Sequence, residues 1–131
     1  MNKPRLMIYV QNLLGIGHLR RAAGISRAAV ERGFDVRFVS GGFPIKDLNI
    51  GGAEFYQIPP VRSLDGDFKT LVAENDKEID DLWRNKRRKL LLDLFEKIQP
   101  QILLTELFPF GRRQFRFELI PLLTKAKEAK C

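Results

Sequence analysis

The chain has 131 residues, 44% of them hydrophobic and 30% charged, with a formal net charge of +7. That length fits a single domain able to bury about two-thirds of its surface, and the mix excludes a disordered or membrane-embedded chain. The surplus of 23 Lys and Arg over 16 Asp and Glu favours phosphates, anionic lipid headgroups or nucleic acid as partners, without choosing among them.

The one cysteine, Cys131, is the last residue, so no internal disulfide framework exists and a reducing compartment follows by default. No apolar run approaches the ~18 residues that span a bilayer. The basic start Met1–Arg5 leads into Leu6–Val10, but Gln11 and Asn12 interrupt that run and glycines follow. A signal peptide would stay apolar for longer, so the segment reads as a strand and the location as cytoplasmic.

Leu6–Val10 is uninterrupted rather than alternating, the pattern of a strand covered on both faces. A loop at 11–17 leads into a helix predicted over His18–Arg32. Leu19, Ala22, Ala23, Ser26, Ala29 and Val30 make its apolar stripe, and Gly33 stands at its C-terminal cap. Asp35–Ser40 is a second strand, closed by Gly41-Gly42, which completes a βαβ unit with a right-handed crossover. Ala53–Ile58 is a third strand. Val61–Glu74, with its Leu-Asp-Gly-Asp turn, reads as a long loop.

From Asn75 to Ile98 one helix is predicted. Ile79, Leu82, Trp83, Leu90, Leu91, Leu94 and Phe95 form its stripe, and Asn75 with Glu78 resembles a capping box. Gln101–Glu106 is a fourth strand, Leu107–Gly111 a loop, and a last helix starts near Arg113, with Pro121 expected to kink or split it. The order is that of an α/β fold: an open, mostly parallel sheet with helices on both faces and one edge uncovered.

The strongest local signal is Gly15-Ile16-Gly17-His18-Leu19-Arg20-Arg21, between a buried strand and a helix. Parallel α/β sheets bind ligands beyond the carboxyl ends of their strands, and a helix N-terminus there suits an anion. The loop is not the dinucleotide fingerprint, whose third glycine is replaced by Arg20, and no Lys-Ser or Lys-Thr follows to make a P-loop. His18 is the only histidine. The helix dipole favours a neutral, proton-accepting imidazole at this position; the alternative is a histidine that merely caps or packs. One histidine and a terminal cysteine offer no metal ligand set, and no cofactor is expected.

The stretches Gln11–Ala22, Glu31–Val36 and Val39–Gly42 resemble the amino-terminal half of GT-B glycosyltransferases, and Leu104–Arg113 resembles a bacterial subgroup of their family 28. The resemblance covers nearly the whole chain. It implies a Rossmann-like acceptor-side domain over residues 1–131, with the carboxyl-terminal donor-binding domain absent, and an enzyme inactive without it. The implied activity is transfer of a sugar from a nucleotide-sugar donor to an acceptor hydroxyl, with His18 as the base and Gly15 and Gly17 in the matching loop. Many relatives carry Gly-Gly-His followed shortly by proline, where this chain has Ile16-Gly17-His18 and Arg21.

Arg20 and Arg21 are candidates to clamp the departing diphosphate. Glu106 is read either as binding an acceptor hydroxyl or as pairing with Arg112 or capping the following helix. Arg112 and Arg113 are candidate phosphate ligands. Phe108, Phe110, Phe115 and Phe117 are either an apolar ligand wall or core. In Lys86-Arg87-Arg88-Lys89, Arg87 and Arg88 are expected to face solvent. The run is either a solvated face or a peripheral contact with an anionic membrane at its inner face. Nucleic acid is disfavoured, since no recognised motif accompanies the charge. Two other functions stay open: a non-catalytic anion- or membrane-binding module, and a sugar-nucleotide epimerase-like protein.

Overall fold

The computed structural model describes residues 3–64, 67–106 and 113–131. Four parallel strands form its main sheet: β1 (Arg5–Val10), β2 (Asp35–Ser40), β3 (Glu54–Gln57) and, after a separate hairpin of β4 (Arg62–Leu64) and β5 (Asp67–Val72), β6 (Ile102–Thr105). Their order is β3-β2-β1-β6, so the first strand is central, with Ile8 facing Phe38 on one side and Leu104 on the other. This is an α/β fold in a Rossmann-like arrangement.

The unbroken apolar run of β1 has a direct physical cause. Leu6, Ile8 and Val10 pack on one face with Leu19 and Ala22 of α1 (Gly17–Glu31). Met7 and Tyr9 pack on the other face with Leu91 and Phe95 of α2 (Asp81–Ile98) and with Leu119 and Leu122 of α3 (Arg116–Glu128). Both faces of the strand are therefore dry. α1 ends in a Schellman turn: Gly33, at φ +93°, donates to the Val30 carbonyl at 3.0 Å and Phe34 to that of Ala29 at 3.0 Å.

Three sequence expectations are corrected here. The stretch 61–74 is not a loop but the antiparallel β4–β5 hairpin, whose Val61 and Leu71 join the α2–α3 core. Its strands are short and its register shifts between Ser63 and Leu64, so no periodic pattern emerges. The turn at 65–66 lies outside the described residues. The helix predicted from Asn75 starts at Asp81 instead. Asn75 sits at φ +67° in a short 3-10 turn, and the cap is Asp80, whose carboxylate accepts the Trp83 amide at 2.8 Å. α3 continues through Pro121, so the proline does not split it. The hydrogen bond that proline cannot make would have gone to Phe117 in the first turn, so one early bond is lost and the rest of the ladder continues.

Candidate functional site

Parallel pairing of β1 with β6 brings two distant segments together at the carboxyl edge of the sheet. Tyr9 stands opposite Thr105, and the Glu106 amide donates to the Tyr9 carbonyl at 3.0 Å. The chain leaves β1 through 11–16 and enters α1 at Gly17, so His18 and Arg21, one helical turn apart, face the end of β6. His18 Nδ1 lies 3.1 Å from Glu106 Oε1, and Arg21 Nη2 lies 3.1 Å from the same oxygen. Arg21 Nη2 and His18 Nδ1 are also 3.1 Å apart. Because an ionised carboxylate only accepts, the contacts at Oε1 are met when Nδ1–H and Nη2–H both donate to it, and a neutral ring in that tautomer carries its lone pair on Nε2. The Glu106 side chain is 12% exposed and that of His18 35%, so the carboxylate is sheltered while the ring reaches solvent.

The described partners of Glu106 are His18 and Arg21, and it does not cap α3; the alternative pairing with Arg112 falls outside the described residues. The start of α1 adds to the site. No side chain caps it and no acidic residue lies in its first turn, so its leading amides have no partner within the helix. Arg20 lies exposed beside the cluster and Arg113 lies exposed in a 3-10 turn before α3; neither joins the contact. Arg112, Gly111, Phe108 and Phe110 lie outside the described residues. Phe115 is fully buried and Phe117 half-buried, with ring centroids 6.0 Å apart, so this pair belongs to the core.

Gly15 and Gly17 have open space where a side chain would begin, and neither has a positive φ. Packing does not require them. The glycines that packing does require follow β2. A Cβ on Gly41 would overlap Arg87 Nη2 and Gln11 Oε1, and one on Gly42 would overlap the Asn12 amide.

That crowding marks a buried polar network under the loop. Arg87 is expected at the surface but is completely buried, as is Glu118 of α3, with Nε 3.1 Å from Oε1. The reason is helical phase: 83, 87, 91, 95 and 98 fall on one face, and that face meets the core. The guanidinium lies over the rings of Trp83 at 5.3 Å and Phe115 at 5.4 Å and donates to Gln11 Oε1. Because arginine can only donate, it fixes the Gln11 amide with its oxygen inward. The Gln11 Nε2 then donates to the Asn12 carbonyl at 2.8 Å and the Val61 carbonyl at 3.0 Å, tying down the start of the loop that carries His18. Burial pushes the Glu118 carboxyl up, against the opposing pull of the Arg87 charge and of the Tyr9 hydroxyl. Sequence reading missed these residues, although position 87 on the apolar stripe and the polar pair Gln11-Asn12 at the end of a buried strand were available signals.

Among the described residues no cluster of His, Cys, Asp and Glu is arranged to hold a metal ion, and no helix is long and apolar enough to cross a membrane. Comparison of the chain with protein-family models, with curated proteins and with solved structures finds no match in any of the three.

Proposed function

We propose that this chain is the acceptor-side domain of a family 28-like GT-B glycosyltransferase, working with a nucleotide-sugar-binding domain. The observation that carries the reading is the 3.1 Å contact between His18 Nδ1 and Glu106 Oε1, at the ligand-binding edge of a parallel sheet. A carboxylate on Nδ1 holds the ring in the tautomer whose Nε2 accepts a proton, and it stabilises the imidazolium that results.

In the proposed step His18 Nε2 takes the proton of an acceptor hydroxyl as its oxygen bonds to the anomeric carbon of the sugar. The bond from that carbon to the nucleoside diphosphate breaks, and the diphosphate leaves with the electron pair. The uncapped amides of α1, with Arg20 nearby, suit an anionic group of the acceptor or the departing charge. The test is transfer of labelled sugar from a nucleotide sugar to a hydroxyl acceptor by the chain combined with a donor-binding domain. His18→Ala should lower turnover by a factor of about 10² to 10⁴. Unchanged turnover would remove His18 from the mechanism.

A second reading, a non-catalytic anion-binding module, is favoured by the same uncapped helix start. It predicts phosphate binding that weakens with salt and is indifferent to His18→Ala.

A further inference from the structure

Parallel strands are usually joined by a helix that packs on the sheet, and α1 joins β1 to β2 in this way. Between β2 and β3 the chain instead runs as an irregular loop over 41–53. That loop is fastened to α1: Ser26 Oγ donates to the Ile50 carbonyl at 2.7 Å and Arg27 Nη1 to that of Asn49 at 2.8 Å. A Cβ on Gly51, at φ +74°, would stand 2.8 Å from the Arg27 Cα, so backbone meets backbone there. A loop is thinner cover than a helix. Beside α1, over the carboxyl ends of β2 and β3, a cavity of about 290 Å³ remains, walled by Leu19, Ile45, Leu48, Ile50 and Phe55.

Ser40 supplies the one buried polar side chain of this wall. Val36 and Phe38 face α1, and the two-residue period of β2 puts Ser40 on the same side. The residue is 2% exposed. Its carbonyl accepts the Ile58 amide at 3.1 Å and Gln57 Nε2 at 3.0 Å, but its hydroxyl has no hydrogen-bond partner among the described residues. A hydroxyl without a partner in apolar surroundings costs free energy that a bound hydrogen-bonding group would recover. Asp47, exposed at the rim, is the only charged residue of the lining. In a chain of net charge +7, this space therefore offers an anion no counter-charge.

We propose that the cavity is a binding site for a small neutral molecule: an apolar system of about two fused rings carrying one hydrogen-bonding group. That group meets Ser40 Oγ and the rings meet the apolar walls. Phe55, 43% exposed and stacked on Phe38 at 6.0 Å, stands at the open side. Size sets the ring count. An apolar cavity of roughly 150 Å³ holds one benzene, so about twice that volume suits a bicycle. The site is separate from the His18 cluster. Leu19 follows His18, but the turn of about 100° per residue sends it into the packing around Ile8 and Val10, while His18 meets Glu106.

The test is a methyl-resolved NMR titration of the full chain with indole, whose N–H can donate to Ser40 Oγ. Saturable shifts should concentrate on the methyl groups of Leu19, Ile45, Leu48 and Ile50, with a Kd of about 0.1–1 mM. Ser40→Ala removes no contact within the protein, so the fold should persist while indole binds about fivefold more weakly. Indene, the same shape with a methylene in place of the N–H, should bind both proteins alike. Indole-3-acetate, facing Asp47 with a negative charge, should bind the unaltered chain about fivefold more weakly than indole. Three results would each overturn the proposal: no saturable shift of these methyls by about 5 mM indole, a Ser40→Ala effect that is absent or shared by indene, or equal affinity for indole and indole-3-acetate. No sugar or nucleotide enters this assay, so its failure leaves the transfer reading untouched.

Discussion

Glu106 and Glu118 each face an arginine at 3.1 Å, yet the two pairs do opposite work. Arg21, the partner of Glu106, is 60% exposed, and His18 completes the group beside it. Arg87 and Glu118 are entirely dry. In water an ion pair contributes little to stability, but its members stay free to meet a ligand. Out of water the charges must satisfy each other, and removing either leaves the other stranded. The exposed pair is suited to chemistry. The buried one holds α2, α3 and the start of the glycine loop in register.

The sharpest way to break this contrast is Arg87→Ala. It should destabilise the fold by about 3–5 kcal/mol in urea denaturation, because it leaves the buried Glu118 carboxyl without its partner and empties the space the guanidinium fills. The paired change Arg87→Met with Glu118→Leu should cost less than either single removal. A loss below about 1 kcal/mol for Arg87→Ala would mean that water reaches the pair.

Gly41→Ala comes next, at about 1–3 kcal/mol, since the new methyl overlaps Arg87 and Gln11. Combined with Arg87→Ala the added penalty should shrink, whereas Gly15→Ala, with open space above it, should be nearly silent. Equal costs at Gly15 and Gly41 would contradict the packing described.

The pH dependence separates the pairs further. Glu118 is held above the ordinary glutamate range by burial, so the folded chain keeps a proton that the unfolded chain releases. Its contribution is therefore full at low pH and lost as pH rises through the raised value. Glu118→Gln should flatten the stability profile on that side. Asp35 acts in the opposite sense: a hydrogen bond from Arg37 holds its carboxyl low, so its share is lost as pH falls through the lowered value. A profile unchanged by Glu118→Gln would show that folding leaves the Glu118 carboxyl at its unfolded value.

Glu106→Ala should change stability by under about 1 kcal/mol. Its signature is instead the ring of His18, the sole histidine, whose nitrogen resonances report the tautomer directly. Loss of the carboxylate should move the proton population away from Nδ1. An unaltered tautomer would mean that Arg21 or solvent, rather than Glu106, sets the ring.

Much of the scaffold is legible in the residues. The dry run Leu6–Val10 announces a central parallel strand, and Gly33 marks a helix end that the Schellman bonds then make. The location of His18 at the start of α1 follows from the same local pattern. Its partner does not. Glu106 is 88 residues away, and only the β1–β6 pairing converts that separation into a 3.1 Å contact. Arg87 is the reverse case. It looks exposed because it stands in a run of four cations, yet helical phase assigns it to the core while Lys86 and Lys89 go outside.

What the residues alone determine is local: which segments are buried on both faces, where α1 starts and stops, and which edge of the sheet carries the glycine–histidine turn. Those follow from propensity and hydrophobic period, which act over a few neighbours. Which carboxylate meets which cation, and whether water reaches them, depends on strand order and on how α2 and α3 close over Tyr9 and Gln11. Electrostatic strength depends on distance and local dielectric, and both exist only once the chain has folded.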